Sequence, residues 1–207
     1  MEMMEFDREN VRLIAKGEVE QVEKRLLRNY RSAKKSGEQD RLLDAISSLA
    51  HFYARPFKED LAKAERYFRE RFRLFPDVDS ALELVMFSHF VLDDPQRTIR
   101  ETGRVRSFYG ENRTSNLRQL YDAVAIEGQA FLSLGLEQDA IRNLQELLGL
   151  AVRNPRRVPF GDELNFVKQM VERGLSTPAC KSLLEMARRG VHSPEYAKEM
   201  GRLLQRL

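Results

Sequence analysis

The stretch Val124-x3-Gly128-x2-Phe131-x3-Gly135-x4-Ala140-x3-Leu144 alternates small and large apolar residues at intervals that suit two packed antiparallel helices. It has the form of one unit of a helical repeat. The same spacing occurs earlier in the chain, as Ile46, Leu49, Ala50 and Tyr53 on one helix, then Ala64, Phe68 and Pro76 on and just past the next. Two independent occurrences point to an array of paired helices.

Working outward from these two units, helical periodicity runs through almost the whole chain. There is no sustained period-two alternation and no Asn-Gly or Asp-Gly hairpin turn. Five helix pairs are expected, at about 3–36, 43–76, 79–109, 121–153 and 161–190, followed by a capping helix over 194–207. Phe6, Asn10 and Leu13 then Val22 and Leu26 mark the first pair around a turn at Gly17. In the second pair Pro56 starts the return helix and Pro76 stops it. The third runs from Ser80, behind a cap at Asp79, to Leu92, turns at Asp93-Asp94-Pro95 and returns through Ile99, Thr102 and Val105. A polar break at 110–117 and a proline-bounded connector at 154–159 separate the last pairs, the connector being the best place for a junction. Leu164, Val167, Val171, Leu175, Cys180, Leu184 and Ala187 carry the fifth pair; Tyr196, Met200, Leu203 and Leu204 form the apolar face of the last helix.

Length and composition agree with a single helical domain over 1–207. The chain has 207 residues, 42% hydrophobic and 32% charged, enough apolar material for a substantial core. Basic and acidic residues nearly cancel, 35 against 32, so the chain is no polycation. Of the basic residues 26 are Arg and 9 are Lys, a bias that a GC-rich genome explains as readily as recognition of carboxylates or phosphates. One cysteine, Cys180, rules out an intramolecular disulfide and suits a reducing compartment. The acidic opening lacks the pattern of a signal peptide, and the longest uncharged apolar run, 84–92, is half a membrane span. A soluble, cytoplasmic protein is expected.

The two well-matched units resemble the tetratricopeptide repeat family. There a large apolar residue, a Leu, a Gly or Ala and a Tyr mark the first helix, and an Ala, an aromatic and a Pro the second. Ile46, Leu49, Ala50, Tyr53, Ala64, Phe68 and Pro76 fit with two extra residues in the turn; Val124, Gly128, Phe131, Gly135, Ala140 and Leu144 fit at the usual length. Trp is absent, Glu127 stands where a Leu is usual, Arg71 where a small residue is usual, and the proline after the fourth pair comes late, at Pro155. The resemblance implies an all-α, right-handed superhelical solenoid in which small residues let the helices of a pair approach. Its first helices would line a concave peptide-binding groove, here Asp44, Ser47, His51, Glu83, Phe87, Phe90, Asp122, Gln129 and Leu132. Phe87 and Phe90 would be apolar anchors, with Ser47, His51 and Gln129 supplying hydrogen bonds; packing against adjacent pairs is the competing role for both phenylalanines.

Other clusters have structural explanations. Arg66, Arg69 and Arg73, and again Arg97, Arg100 and Arg104, form two stripes with i, i+3, i+7 spacing. They offer an alternative basic patch for nucleic acid or an acidic partner, although interleaved Glu65, Glu70 and Glu101 suit a solvated exterior. Asp77, Asp79, Asp93 and Asp94 each lie where a helix begins, as caps do. His51, His89 and His192 are far apart, there is no His-Glu-x-x-His and no paired Cys, and Cys180 sits at a small core position, so no metal, cofactor or catalytic set is expected. A non-catalytic adaptor, scaffold or chaperone-like module is the leading expectation, with nucleic-acid binding second and homo-oligomeric self-association through an uncapped end third. The partner's identity is not encoded in any motif.

Overall fold

The structure is a computed structural model that describes residues 8–111, 117–153, 161–175, 177–190 and 194–207. Among these, all regular structure is helical, with no strand. In order the helices are α1 (Arg8–Ala15), α2 (Val19–Ser36), α3 (Gln39–Tyr53), α4 (Leu61–Leu74) and α5 (Val78–Met86), which a π-helical turn (Phe87–Val91) continues. Then come α6 (Pro95–Glu111), α7 (Leu117–Ser133), α8 (Glu137–Arg153), α9 (Asp162–Glu172), α10 (Pro178–Gly190) and α11 (Pro194–Leu204). No helix is long and apolar enough to cross a membrane, among the described residues. Residue 6, most of the polar break at 110–117, the connector at 154–159 and the side chain of Tyr196 lie outside what is described.

Packing separates the chain into two compact units, Met1–Leu84 and Val85–Leu207, the division falling inside α5. In the first, α2 packs on α3 and α3 on α4. Val22, Leu26, Ile46, Leu49, Ala50, Phe52, Tyr53, Ala64 and Phe68 form its core. In the second, α7 is central, packing on α6, α8 and α9, while α10 joins α8, α9 and α11. Its surroundings bury α7 on every side, and 123–130 are all shielded from solvent.

The helix ends follow from local chemistry. Among the described residues, besides Gly37 after α2, whose N–H bonds the Ala33 carbonyl (3.1 Å), three helices stop on a left-handed glycine with a double closure: Gly17 after α1, Gly135 after α7 and Gly174 after α9. At each, the next residue's N–H reaches back five positions, Glu18 to Leu13 (2.9 Å), Leu136 to Phe131 (2.9 Å) and Leu175 to Met170 (2.9 Å). The glycine's own N–H bonds Ile14, Leu132 and Val171 respectively. This double closure satisfies the last carbonyls and demands a positive φ, which Gly adopts without a Cβ penalty.

Two expected boundaries move. The return helix of the second pair starts at Leu61, not Pro56, because the Asp60 carboxylate accepts from the Lys63 N–H (3.1 Å). The helix expected to start at Ser80 begins at Val78, and its cap is Asp77: Asp77 Oδ1 accepts from the Ser80 N–H (2.7 Å) while the Asp77 N–H donates to Ser80 Oγ (3.2 Å). Asp94 caps α6 by accepting from the Arg97 N–H (2.9 Å), with Pro95 at the first helical position.

Candidate interaction surfaces

The residues expected to line a groove are divided between the two units. In the first unit Asp44 is exposed, and Ser47 is buried inside α3. His51 and Glu83 are brought together, His51 Nε2 lying 3.7 Å from Glu83 Oε1. The same carboxylate forms an ion pair with the buried Arg71, and His51 sets its ring edge-on to Phe68, centroids 5.2 Å apart. Arg71, out of place for a small-residue position, is thus the partner that neutralises Glu83. His51, Arg71 and Glu83 form one charged cluster.

In the second unit Phe87 is only 2% exposed and lies under the Arg97 guanidinium, 5.9 Å from its ring, whereas Phe90 is 45% exposed. Leu132 is in the core. Gln129, 3% exposed, is fully engaged: its Nε2 donates to the Asp162 carbonyl (3.2 Å) and its Oε1 accepts from Asn165 Nδ2 (2.8 Å) and Gln169 Nε2 (3.2 Å). His89, from the π-helical turn, also hydrogen-bonds Gln129. Burial pushes His89 below the ordinary histidine range, against the opposing pull of Gln129, Asp162 and Asp93. Asp162 moves the other way, raised by burial and by the charge of Asp122. Asp122 is half-buried. Phe87, Gln129 and Leu132 are therefore internal, because the helices that carry them are covered on more than one face.

The two arginine stripes also differ from each other. In the second unit Arg97 is 8% exposed and Arg104 pairs with Glu101 (2.8 Å), so that stripe is not a continuous basic surface. In the first unit Arg66, Arg69 and Arg73 are exposed and, with Lys34, Ala62, Glu65 and Glu70, line an open groove of about 600 Å³ between α2 and α4.

Its walls are held by aromatic packing. Tyr67 stacks on Tyr53 (centroids 5.8 Å, planes 2° apart) and meets Tyr30 edge-on (5.8 Å), tying α4 to α3 and α2. Tyr30 Oη donates to Glu70 (2.7 Å), and Lys34 Nζ lies 3.1 Å from Tyr30 Oη and 3.8 Å from Glu70. The Tyr30 hydrogen bond and the Glu70 charge raise the Lys34 pKa, keeping it cationic. Arg69 pairs with Glu65 (2.7 Å). Among the described residues no carboxylate pairs with Arg66 or Arg73; Arg66 only stands over the Tyr67 ring (5.9 Å). Residues 1–84 carry 17 basic and 17 acidic side chains, so the unit is neutral and the surplus in the groove is local.

Spacing within α4 pointed to this stripe, but nothing in the sequence placed Lys34 of α2 beside it. That juxtaposition comes from the tyrosine contacts. No family model, curated protein or solved structure matches this chain.

Proposed function

We propose that the chain is a non-catalytic helical module of tetratricopeptide type, a right-handed superhelical array closed by α11, that holds a segment of another protein. Its contact surface is the α2/α4 groove. The observation that carries this is the pair of exposed guanidiniums, Arg66 and Arg73, in an open groove whose other charges are already paired. Helix pairs joined by glycine-closed turns at Gly17, Gly135 and Gly174 support the repeat architecture. Glu65 and Glu70 in the lining favour a protein partner over the uniform negative charge of a nucleic acid.

The test is site-specific photo-cross-linking from Ala62, which lines the groove, in nuclease-treated lysate, with a probe at exposed Val152 as control. A discrete protein linked from Ala62 only, and lost on Arg66→Glu with Arg73→Glu, is expected. Cross-links to nucleic acid alone, or the same proteins from both positions, overturn the proposal.

A further inference from the structure

The charge pattern of the α2/α4 groove points to its occupant, and we infer that this is an acidic α-helix with two carboxylates two turns apart. This rests on the groove being a protein-binding surface. Arg66 and Arg73 are seven residues apart on α4, so their Cα atoms are separated by about 10.5 Å along one face. Between them the lining neutralises itself: Arg69 is tied to Glu65 at 2.7 Å, and across the groove Lys34 faces Glu70 at 3.8 Å. Two cations that pair with no carboxylate among the described residues thus flank a mixed, paired centre.

A ligand with evenly spaced anions would set negative charge against Glu65 and Glu70 as well as against the arginines. A helix avoids that conflict by carrying Glu or Asp at i and i+7, with uncharged or basic residues between. Its two carboxylates repeat the spacing of the two guanidiniums, and each can accept two parallel N–H bonds from the planar group it meets. The small side chain of Ala62 in the lining adds little bulk where a helix would lie. Both arginines are exposed, so binding is modest and weakens with salt.

The experiment uses the full chain and two labelled Ala/Gln-rich helical peptides of the same composition. One has its two Glu seven residues apart on one face; the other has them nine apart, on opposite faces. Fluorescence anisotropy is expected to show the same-face peptide binding about 3- to 30-fold tighter, the size of two exposed ion pairs. Arg66→Glu with Arg73→Glu removes the preference, and a same-face peptide bearing two Arg binds this reversed chain instead. Arg66→Gln with Arg73→Gln gives the same loss without reversal, and an unchanged melting temperature shows that either pair remains folded. Equal affinity for the two peptides, a preference that survives charge reversal, or stronger binding of a single-stranded oligonucleotide at matched charge overturns the acidic helix. If no preference is found while the Ala62 protein cross-link persists, the module stands and the helix falls. If the preference is found without any protein cross-link, the groove chemistry stands and the module falls.

Discussion

A Cβ added to Gly128 would lie 2.3 Å from Cζ of Phe166, so α7 and α9 meet with a bare backbone against a fully buried ring. The small residue serves the contact between neighbouring helix pairs, not the contact within its own pair.

Gly128→Ala is accordingly expected to destabilise the chain by about 1–3 kcal/mol, the cost of overpacking a rigid seam. That outweighs the gain of up to about 1 kcal/mol in helix propensity. Adding Phe166→Leu should restore part of the loss. Gly135→Ala should cost about 1 kcal/mol for a different reason, its φ of 72° with open space around the Cβ, and Phe166→Leu should not relieve it. Urea unfolding midpoints of the three variants and the two doubles distinguish the causes.

Glu127 stands at a position where the resembled family has Leu, and it is buried in a polar network. It accepts from Arg106 Nη2 (2.5 Å) and Asn143 Nδ2 (2.8 Å), while Arg106 also pairs with Glu146 and Asn143 also donates to the Val124 carbonyl. Glu127→Ala should cost about 2–4 kcal/mol by orphaning one N–H of Asn143 and half of Arg106. Arg106→Met with Glu127→Leu should cost less than Glu127→Ala, since it leaves no half-paired guanidinium, although one Asn143 N–H still loses its acceptor. A double-mutant cycle in chemical denaturation measures the coupling.

Neighbouring phenylalanines in the π-helical turn should behave oppositely. Phe87→Ala is expected to cost about 3–5 kcal/mol through the cavity it leaves. Phe90→Ala should change stability by no more than about 0.5 kcal/mol, the residue being nearly half exposed and its ring in contact with His89 (centroids 4.7 Å). Melting temperatures of the two variants decide this, and similar losses at both would contradict the packing described.

The His89 imidazole should titrate by NMR below its usual midpoint of 6.5. With the folded pKa lowered, the unfolded chain binds more protons in the window between that value and 6.5, so stability falls as pH drops through it. His89→Gln should flatten stability between pH 7 and the folded midpoint. Asp162, raised above 3.8, has the opposite sign: the folded chain holds the extra proton, and acidification through its window adds stability. A His89 midpoint at or above 6.5 would show that the site is more hydrated than its burial indicates.

Most helices were legible because their signals are local. Gly17 at a turn, Pro95 at a first helical position and the spacing around Val124 and Ala140 act within a few residues, and the chain turns or coils there in the structure. Two helix starts fall elsewhere than expected, the cap at Asp77 and not Asp79 and the return helix behind Asp60 and not at Pro56, because several residues near each start are chemically suited and only hydrogen-bond geometry selects among them. Facing was less legible. The repeat spacing put Phe87, Gln129 and Leu132 on an open side, but a helix packed on three neighbours has no open side, and α7 is shielded all round.

What the sequence by itself determined is the all-helical composition and the arginine stripe on α4, since each follows from periodicity along one segment. Only the tertiary structure decided that Glu83 is held by Arg71 and His51, that Gln129 is spent on α9, and that Lys34 joins Arg66 and Arg73 around one groove. These are contacts between side chains far apart in sequence. They depend on how helix faces meet, and periodicity along a single helix carries no record of what the next helix brings to it.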